Sequence, residues 1–578
     1  MINKYFFTIV ALMVFITGTA QTYITNVTVA DVEKQKLVTG QTVIITNDII
    51  TKVQPATIKI PGNATIIDGT GKYLVPGLTD AHIHFFQNGG LYTRPDAINL
   101  TNQAPYAKEM ELAHQTMEDK LRRYLQNGIT NVIDVGASYS YLRQRAAFKD
   151  AVYAPTIYMT GPLLTTYEPA IYKNLGEEAP FSLVQNIDDG IKMVQEQLPF
   201  HPDFIKIWYI AGADGLDKAA SARKNLPVIK AIITEAHKHG LKVAVHATER
   251  ITAQLAVENG ADFLVHNVED ELVQDEFVQL LKKNKTILCP TLQAMDGYDI
   301  TFGQRLSMST HELRYANPFQ LGTLLDLKHL PDTALINKYK RGANSEAYLA
   351  QNKQTNAISS QNLKKLSDAG VIIATGTDAG NIGTMHASSY LNELKRMRES
   401  GMDNWQIIRA STINGAKVLN KENEFGSITA GKKANMVLLN ANPLDSIEHI
   451  TKIYRVINRG VIIDPDTLIA ETPAALAQRQ LNAYNFRDIE AFLEPYADDV
   501  EIYVYPDTLM SKGKEAMRKS YAGMFKNTPD LHCELVGRIV QGNIVIDKER
   551  VRFNNKTVEA VAIYHIENNK IKKVYFVD

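Results

Sequence analysis

Apolar positions change their spacing several times along this chain. Residues 22–75 carry short β-branched runs, Tyr23-Ile24-Thr25-Asn26-Val27-Thr28-Val29 and Gln41-Thr42-Val43-Ile44-Ile45, with turns at Gly62-Asn63 and Gly69-Thr70-Gly71. Partial alternation of β-branched residues between glycine-marked turns predicts strands. From about 76 to 420, short apolar runs alternate with stretches of helical spacing. Eight runs qualify as strands, at 78–82, 129–135, 156–159, 204–208, 243–246, 263–266, 286–288 and 371–375. Helices are expected at 110–126, 183–197, 228–239, 253–258, 272–282, 388–399 and 405–419. Such alternation places the chain in the α/β class and predicts a (β/α)8 TIM barrel. An open doubly wound sheet is the alternative, but no glycine-rich dinucleotide fingerprint follows an early strand.

Between the last two runs, residues 296–355 are polar and rich in Tyr, Asn and Lys, an insertion expected at the barrel mouth. It either covers substrate or is a passive excursion. Short strands return in Ala434-Asn435-Met436-Val437-Leu438-Leu439 and Ile453-Tyr454-Arg455-Val456-Ile457. Segments 21–75 and 421–470 are therefore expected to build one small β-sandwich from both flanks of a barrel at 76–420. A linker, Glu471-Thr472-Pro473-Ala474-Ala475, leads to residues 475–578. There a helix over 475–496 precedes alternating runs at 500–505, 534–540, 544–553, 557–567 and 570–576, the pattern of an α+β domain.

Composition narrows the partners. A formal net charge of −1 over 578 residues, without a local basic run, excludes a nucleic-acid footprint. Lys4, an apolar stretch at 5–16 and Gly18-Thr19-Ala20 predict a signal peptide over 1–20, cleaved before Gln21, and an exported, periplasmic or secreted protein. A buried strand or a membrane anchor is the alternative for this segment. No Cys follows it, which argues against lipid anchoring, and no second apolar stretch predicts an integral membrane segment. Cys289 and Cys533 are the only cysteines and read as buried hydrophobes rather than a disulfide.

Candidate chemistry sits at the ends of the barrel runs. His82 and His84 end the first, His246 and His266 end the fifth and sixth, and Asp378 follows the eighth. Lys206 lies in the fourth, flanked by Phe204, Ile205, Ile207 and Trp208. Side chains at i and i+2 of a strand share a face, so His82 and His84 can grip one ion. A His-x-His pair alone is weak evidence; two further strand-end imidazoles and a carboxylate make a ligand set of the zinc type. Ends of parallel strands converge on one mouth of a barrel.

Pro76-Gly77-Leu78-Thr79-Asp80-Ala81-His82-Ile83-His84, the run Gly426–Leu438 and Asn442-Pro443-Leu444 resemble the amidohydrolase superfamily, in its imidazolonepropionase-like and metal-dependent dipeptidase-like branch. The resemblance covers residues 22–470. It implies that His82, His84 and Asp378 bind one divalent ion, that His246 and His266 bind a second, and that Lys206, as a carbamate, bridges them. One or two ions per chain are expected, with zinc the leading candidate. Asp378 would be both ligand and catalytic proton acceptor, or ligand alone. The implied activity is hydrolysis of a C–N bond, peptide-like or cyclic, in a small-molecule substrate by metal-activated water. A mononuclear deaminase or cyclic-amide hydrolase is the alternative, and a non-catalytic small-ligand-binding protein is a third reading. One departure stands out: where relatives read Glu-His-Gly, this chain reads Val265-His266-Asn267, with Glu269-Asp270 displaced downstream.

Residues 475–578 resemble the nuclear transport factor two-like, ketosteroid isomerase-like α+β cone fold. The resemblance rests on Gln480-Leu481-Asn482-Ala483-Tyr484-Asn485-Phe486-Arg487-Asp488, Phe492-Leu493, Tyr496-Ala497-Asp498-Asp499-Val500-Glu501 and Lys512-Gly513-Lys514-Glu515. It implies homo-oligomerisation or accessory ligand binding rather than a second active site. Arg223 and Arg250 are candidate partners for an acidic substrate group, and His386 could cap a helix or touch substrate.

Overall fold

The computed structural model describes residues 21–577, so the expected signal peptide lies outside the described residues. Eight strands from both flanks form one sheet. Tyr73–Pro76 is its seam, pairing antiparallel with Met436–Leu439 and parallel with Gln21–Asp31. Leu74, Leu438, Ile24 and Val43 pack in its core.

The central region is mixed α/β. Leu78–Ile83, Ile129–Asp134 and Thr156–Met159 form a three-stranded parallel sheet. A second parallel sheet has six strands, and Phe204–Trp208, Lys242–His246, Phe263–Val265 and Ile287–Cys289 follow one another in it. Two short strands unforeseen in the sequence, Leu163–Thr165 and Phe181–Leu183, complete that sheet. They are three residues each, too short to show a period.

The run at 371–375 is not a regular strand. Ile373 makes a single bridge to Leu288, and Ala379 a single bridge to Ile83. Backbone bonds flank the segment at isolated points, Ala374 N–H to Leu288 O at 2.8 Å and Ala81 N–H to Thr375 O at 2.8 Å. Gly376 follows, where a Cβ would lie 2.4 Å from Cys289 Sγ and 2.7 Å from His82 Cβ. Only glycine permits that approach.

Several helices also differ from expectation. The stretch 110–126 is two helices, Tyr106–Gln115 and Met117–Gln126, broken at Thr116, whose hydroxyl donates to Leu112 O at 2.7 Å. The stretch 405–419 is likewise Asn404–Ala410 and Ile413–Val418, with Thr412 Oγ1 donating to Ile408 O at 2.6 Å. Side-chain bonds of this kind compete with helix continuation. Conversely, Lys218–Lys238 runs through Pro227 from an Asp217 cap that accepts from Ala219 and Ala220 N–H, so the proline is not the helix start. The helix expected over 475–496 ends at Phe486; Ile489–Leu493 is a separate turn of helix, and Tyr496 opens the strand Tyr496–Val504.

The insertion is mainly helical, ending in the long helix Glu346–Asp368. Its Leu313, Leu321 and Leu327 share one apolar core with Leu476, Ala477 and Phe492 of the C-terminal domain. Gly322 lets Pro318–Thr323 approach Pro473–Phe486; a Cβ there would meet Gln478 Nε2 at 2.8 Å. Asn482 Nδ2 donates to Pro318 O at 2.7 Å across this junction. The C-terminal domain closes with a six-stranded sheet, antiparallel except where Tyr496–Val504 pairs with Lys570–Val577. Among the described residues, no helix is long and apolar enough to cross a membrane.

Candidate active site

Strand ends of the central region deliver all six predicted side chains to one cavity of about 410 Å³. His82 lies near the end of Leu78–Ile83, His84 just beyond it, and Lys206 inside Phe204–Trp208. His246 ends Lys242–His246, His266 follows Phe263–Val265, and Asp378 lies two residues after Gly376. Asp378 Oδ1 is 3.1 Å from His82 Nε2 and 3.2 Å from His84 Nε2. The two Nε2 atoms are 3.4 Å apart. The ring of His266 is 4.9 Å from that of His82 and 4.4 Å from that of His246, so it sits beside both. One ligating atom each from His82, His266 and Asp378 lie within 4.8 Å of one another.

Hydrogen-bond roles decide what this cluster lacks. His84 Nδ1 faces Gly136 O at 2.9 Å. A carbonyl only accepts, so Nδ1 carries the proton and, in the neutral ring, Nε2 presents a lone pair. That lone pair meets a carboxylate oxygen. His82 Nδ1 and Asp378 Oδ1 are buried without a hydrogen-bond partner. A buried polar atom left unpaired costs about 1–3 kcal/mol, and two facing acceptors such as His84 Nε2 and Asp378 Oδ1 are stabilised together by a cation. Imidazole nitrogens with a carboxylate are the donor set of a zinc-type ion, so the residues present fit such a group.

The protonation states agree. Burial draws His82 down to about 4 and His246 and His266 well below the usual imidazole range. Burial pushes Asp378 upward, but His82 and His84 hold it well below the ordinary carboxylate value. Burial also lowers Lys206 to about 7, against the pull of Asp378. Metal binding requires these deprotonated forms.

Strained backbone aims three of the site's side chains. His266 (φ 72°), Thr291 (φ 46°) and Asp378 (φ 58°) lie in the left-handed region, which costs a non-glycine residue about 1–3 kcal/mol. Neighbours hold them there. Thr377 N–H and Oγ1 donate to buried Asp80 at 3.0 and 2.7 Å, fixing the Asp378 turn. Glu393 accepts from Leu292 and Gln293 N–H at 3.0 and 3.1 Å, fixing the Thr291 loop. Thr291 Oγ1 in turn lies 2.6 Å from His266 Nδ1. A threonine hydroxyl thus supports His266, where the sequence lacks the adjacent glutamate. Asn267 turns away, donating to Ser359 O at 2.6 Å and tying the His266 loop to helix Glu346–Asp368.

Other expectations are redistributed. Arg223 is exposed and Arg250 pairs with Glu271; neither lines the cavity. The arginine at the wall is Arg94, unforeseen because its loop has no periodic pattern. It donates to Asp96 at 2.8 and 2.7 Å and to Tyr298 Oη at 2.9 Å, so its charge is already matched. Glu269 also lines the cavity and, among the described residues, has no ion-pair partner within 4.0 Å. His386 is packed away from it, stacked on Phe85 and bonded to Tyr124 and Gln87 O. Phe86, Leu163, Phe181, Trp208, Met295 and Phe302 supply an apolar wall.

Comparison with known proteins agrees with this geometry. Residues 73–463 match the model of the Amidohydrolase family, and residues 477–574 that of a SnoaL-like domain. An imidazolonepropionase of Geobacillus sp. (strain WCH70) is 24% identical over 409 residues, 67% of this chain and 79% of its own. An enamidase of Eubacterium barkeri is 26% identical over 244 residues, 40% of this chain and 53% of its own. A solved Xaa-Pro dipeptidase with methionine bound in its active site superposes with a TM-score of 0.59 at 22% identity, covering 77% of this chain and 100% of that one. With the family match spanning more than half its length, the chain belongs to the amidohydrolase family and is an enzyme of the class that hydrolyses carbon–nitrogen bonds.

Proposed function

We propose that this chain is an exported, metal-dependent amidohydrolase that cleaves an amide, peptide-like or cyclic-amide bond in a small, largely apolar substrate. One observation carries the reading: the lone pair of His84 Nε2, fixed by the Gly136 carbonyl, points at Asp378 Oδ1 and stands beside His82 Nε2. We further infer that the two parallel sheets are arcs of one (β/α)8 barrel. The single bridges Leu288–Ile373 and Ile83–Ala379 support that closure.

His82, His84, His246, His266 and Asp378 would hold the ion or ions, with zinc the best match to their nitrogens and oxygens. Lys206, 1% exposed and without an ion-pair partner among the described residues, would serve as the carbamate between two of them. A bound divalent ion would bring the ionisation of water near neutrality and polarise the scissile carbonyl. The protein supplies the rest. Asp378 accepts the proton of the attacking water on its carboxylate and passes it to the leaving nitrogen. Trp208, Phe181 and Phe86 bind the apolar body of the substrate and exclude bulk water. A mononuclear deaminase or cyclic-amide hydrolase is the second reading, favoured by the compact trio of His82, His266 and Asp378.

Metal analysis of the purified protein, with hydrolysis of dipeptides, N-acyl amino acids and cyclic ureides followed against chelator, tests the proposal. Activity that disappears with chelator and returns with zinc is expected. A protein that never takes up divalent ions would end the case. Two equivalents of metal, with Lys206→Ala losing both metal and rate, select the binuclear form; one equivalent and a tolerant Lys206 select the mononuclear one. Export rests on the composition of residues 1–20 and predicts a mature protein beginning at Gln21, which N-terminal sequencing reads directly.

A further inference from the structure

A second cavity, of about 330 Å³, lies inside the C-terminal domain. It is far from empty of chemistry. Tyr484, Phe492, Tyr521 and Tyr564 line it with aromatic rings, and Met517 and Met524 add flexible apolar surface. Glu549 is the one charged side chain on its wall among the described residues, and is only 6% exposed.

The placement of that carboxyl is unusual. Tyr564 Oη donates to Glu549 Oε1 at 3.2 Å, Gln480 Nε2 donates to Tyr564 Oη at 2.9 Å, and Tyr496 Oη donates to Gln480 Oε1 at 3.2 Å. The Cys533 thiol lines the same wall. No lysine, arginine or histidine among the described residues comes within 4.0 Å of it. The nearby cation, Arg538, is engaged elsewhere. Its Nε and Nη2 hold Asp547 at 2.7 and 2.6 Å, and its Nη1 donates to Gln478 Oε1 at 3.0 Å. Asp547 stands two residues before Glu549 on the strand Ile544–Phe553, so Arg538 neutralises one carboxylate and leaves the other. Burying a carboxylate without a cation is unfavourable, and here the unmatched group faces a cavity. Cavities of about 300–1,000 Å³ with an apolar wall and few polar groups house small organic ligands.

We propose that this cavity binds a small organic ammonium ion, its nitrogen meeting Glu549 and its apolar body lying among the rings of Tyr484, Phe492, Tyr521 and Tyr564. A carboxylate and aromatic faces attract the same positive charge, the first by a charge-assisted hydrogen bond and the second through the ring quadrupole. No cation on the wall opposes it. The assignment is independent of the hydrolytic site: it uses no residue of that cavity and stands or falls separately.

Calorimetry on the full chain at pH 8 tests it with three probes of one shape: 2-phenylethylamine, 2-phenylethanol and 3-phenylpropionate. The amine is expected to bind one per chain, about tenfold or more tighter than the alcohol, with the carboxylate weakest. Glu549→Gln keeps the size of the side chain and should reduce the amine to the level of the alcohol. Ala560→Leu, which intrudes on the cavity wall, should weaken both. Failure of all three probes to bind at millimolar concentration overturns the proposal. So does an alcohol or carboxylate that binds as tightly as the amine, which would mark Glu549 as a neutral, internally satisfied acid. Amine affinity that survives Glu549→Gln belongs to another site and also refutes it. Should Glu549→Gln fail to fold, unchanged amine binding in Ala560→Leu refutes it equally.

Discussion

Both cavities of this protein bury carboxyl groups, yet their surroundings differ in kind. Around Asp378 the neighbours are imidazole nitrogens, and His84, whose ring proton is committed to Gly136 O, turns a lone pair toward the carboxylate. Around Glu549 the neighbour is a hydroxyl donor, Tyr564 Oη, that satisfies the acid in part. The first arrangement is the donor set of a cation held by several ligands at once. The second tolerates a neutral acid and invites at most one positive charge. Burial alone therefore does not mark a metal centre; the direction of donors and acceptors does.

Asp378→Asn should have the largest effect of any single change. It preserves shape but removes the proton acceptor and a ligand charge, and kcat should fall by about 10²–10⁴-fold. Steady-state kinetics on a substrate found in the hydrolysis panel would show it; a rate near wild type would deny Asp378 its role. The matching cut in the C-terminal domain is Arg538→Ala. It strands Asp547, whose side chain is 0% exposed, and should cost about 3–5 kcal/mol in denaturant unfolding. Metal content of the central region should not change, and a loss of metal would mean that the two regions are energetically one.

A third prediction concerns pH. Burial, with the charge of Asp547, raises Glu549 from the ordinary 4.5 to about 7. A carboxyl whose folded value is raised is protonated in both states below the ordinary value. Between 4.5 and 7 the unfolded chain releases its proton first, so the contribution to stability is present at acid pH and is lost as pH rises through this window. Each unit corresponds to about 1.4 kcal/mol. Unfolding of Glu549→Gln should show a flatter pH profile between those limits, and an unchanged profile would place the titration elsewhere. The smallest effect expected is that of Thr291→Val, which removes the hydroxyl beside His266 Nδ1 while keeping the side chain's volume. Loss of such an outer contact weakens metal binding by about 10–100-fold; competition with a chelator of known affinity measures it.

The strand-end histidines are legible in the sequence because each closes a short apolar run, and a strand displays its terminal side chain in a fixed direction. Lys206 is legible for the same reason, between Ile205 and Ile207, and is 1% exposed. Arg94 is not, since its loop carries no period and its orientation depends on Asp96, Tyr298 and Asn381, distant or unmarked in the sequence. The loss of the ladder at 371–375 is hidden because Gly376 reads as an ordinary turn residue, while its real duty is to let Cys289 and His82 close in. The helix breaks at Thr116 and Thr412 are equally hidden, because one hydroxyl bonding backward changes the path without changing the pattern of apolar positions. The missing glutamate before His266 hints that some other group supports the imidazole, but nothing in the sequence names Thr291 as that group.

Leu313, Leu321 and Leu327 find their cover in the domain that follows the linker. Severing the chain near Glu471 would uncover part of their surface, and a shortened protein should be less soluble than the full chain. In this chain the hydrolase half thus takes part of its cover from the domain behind it.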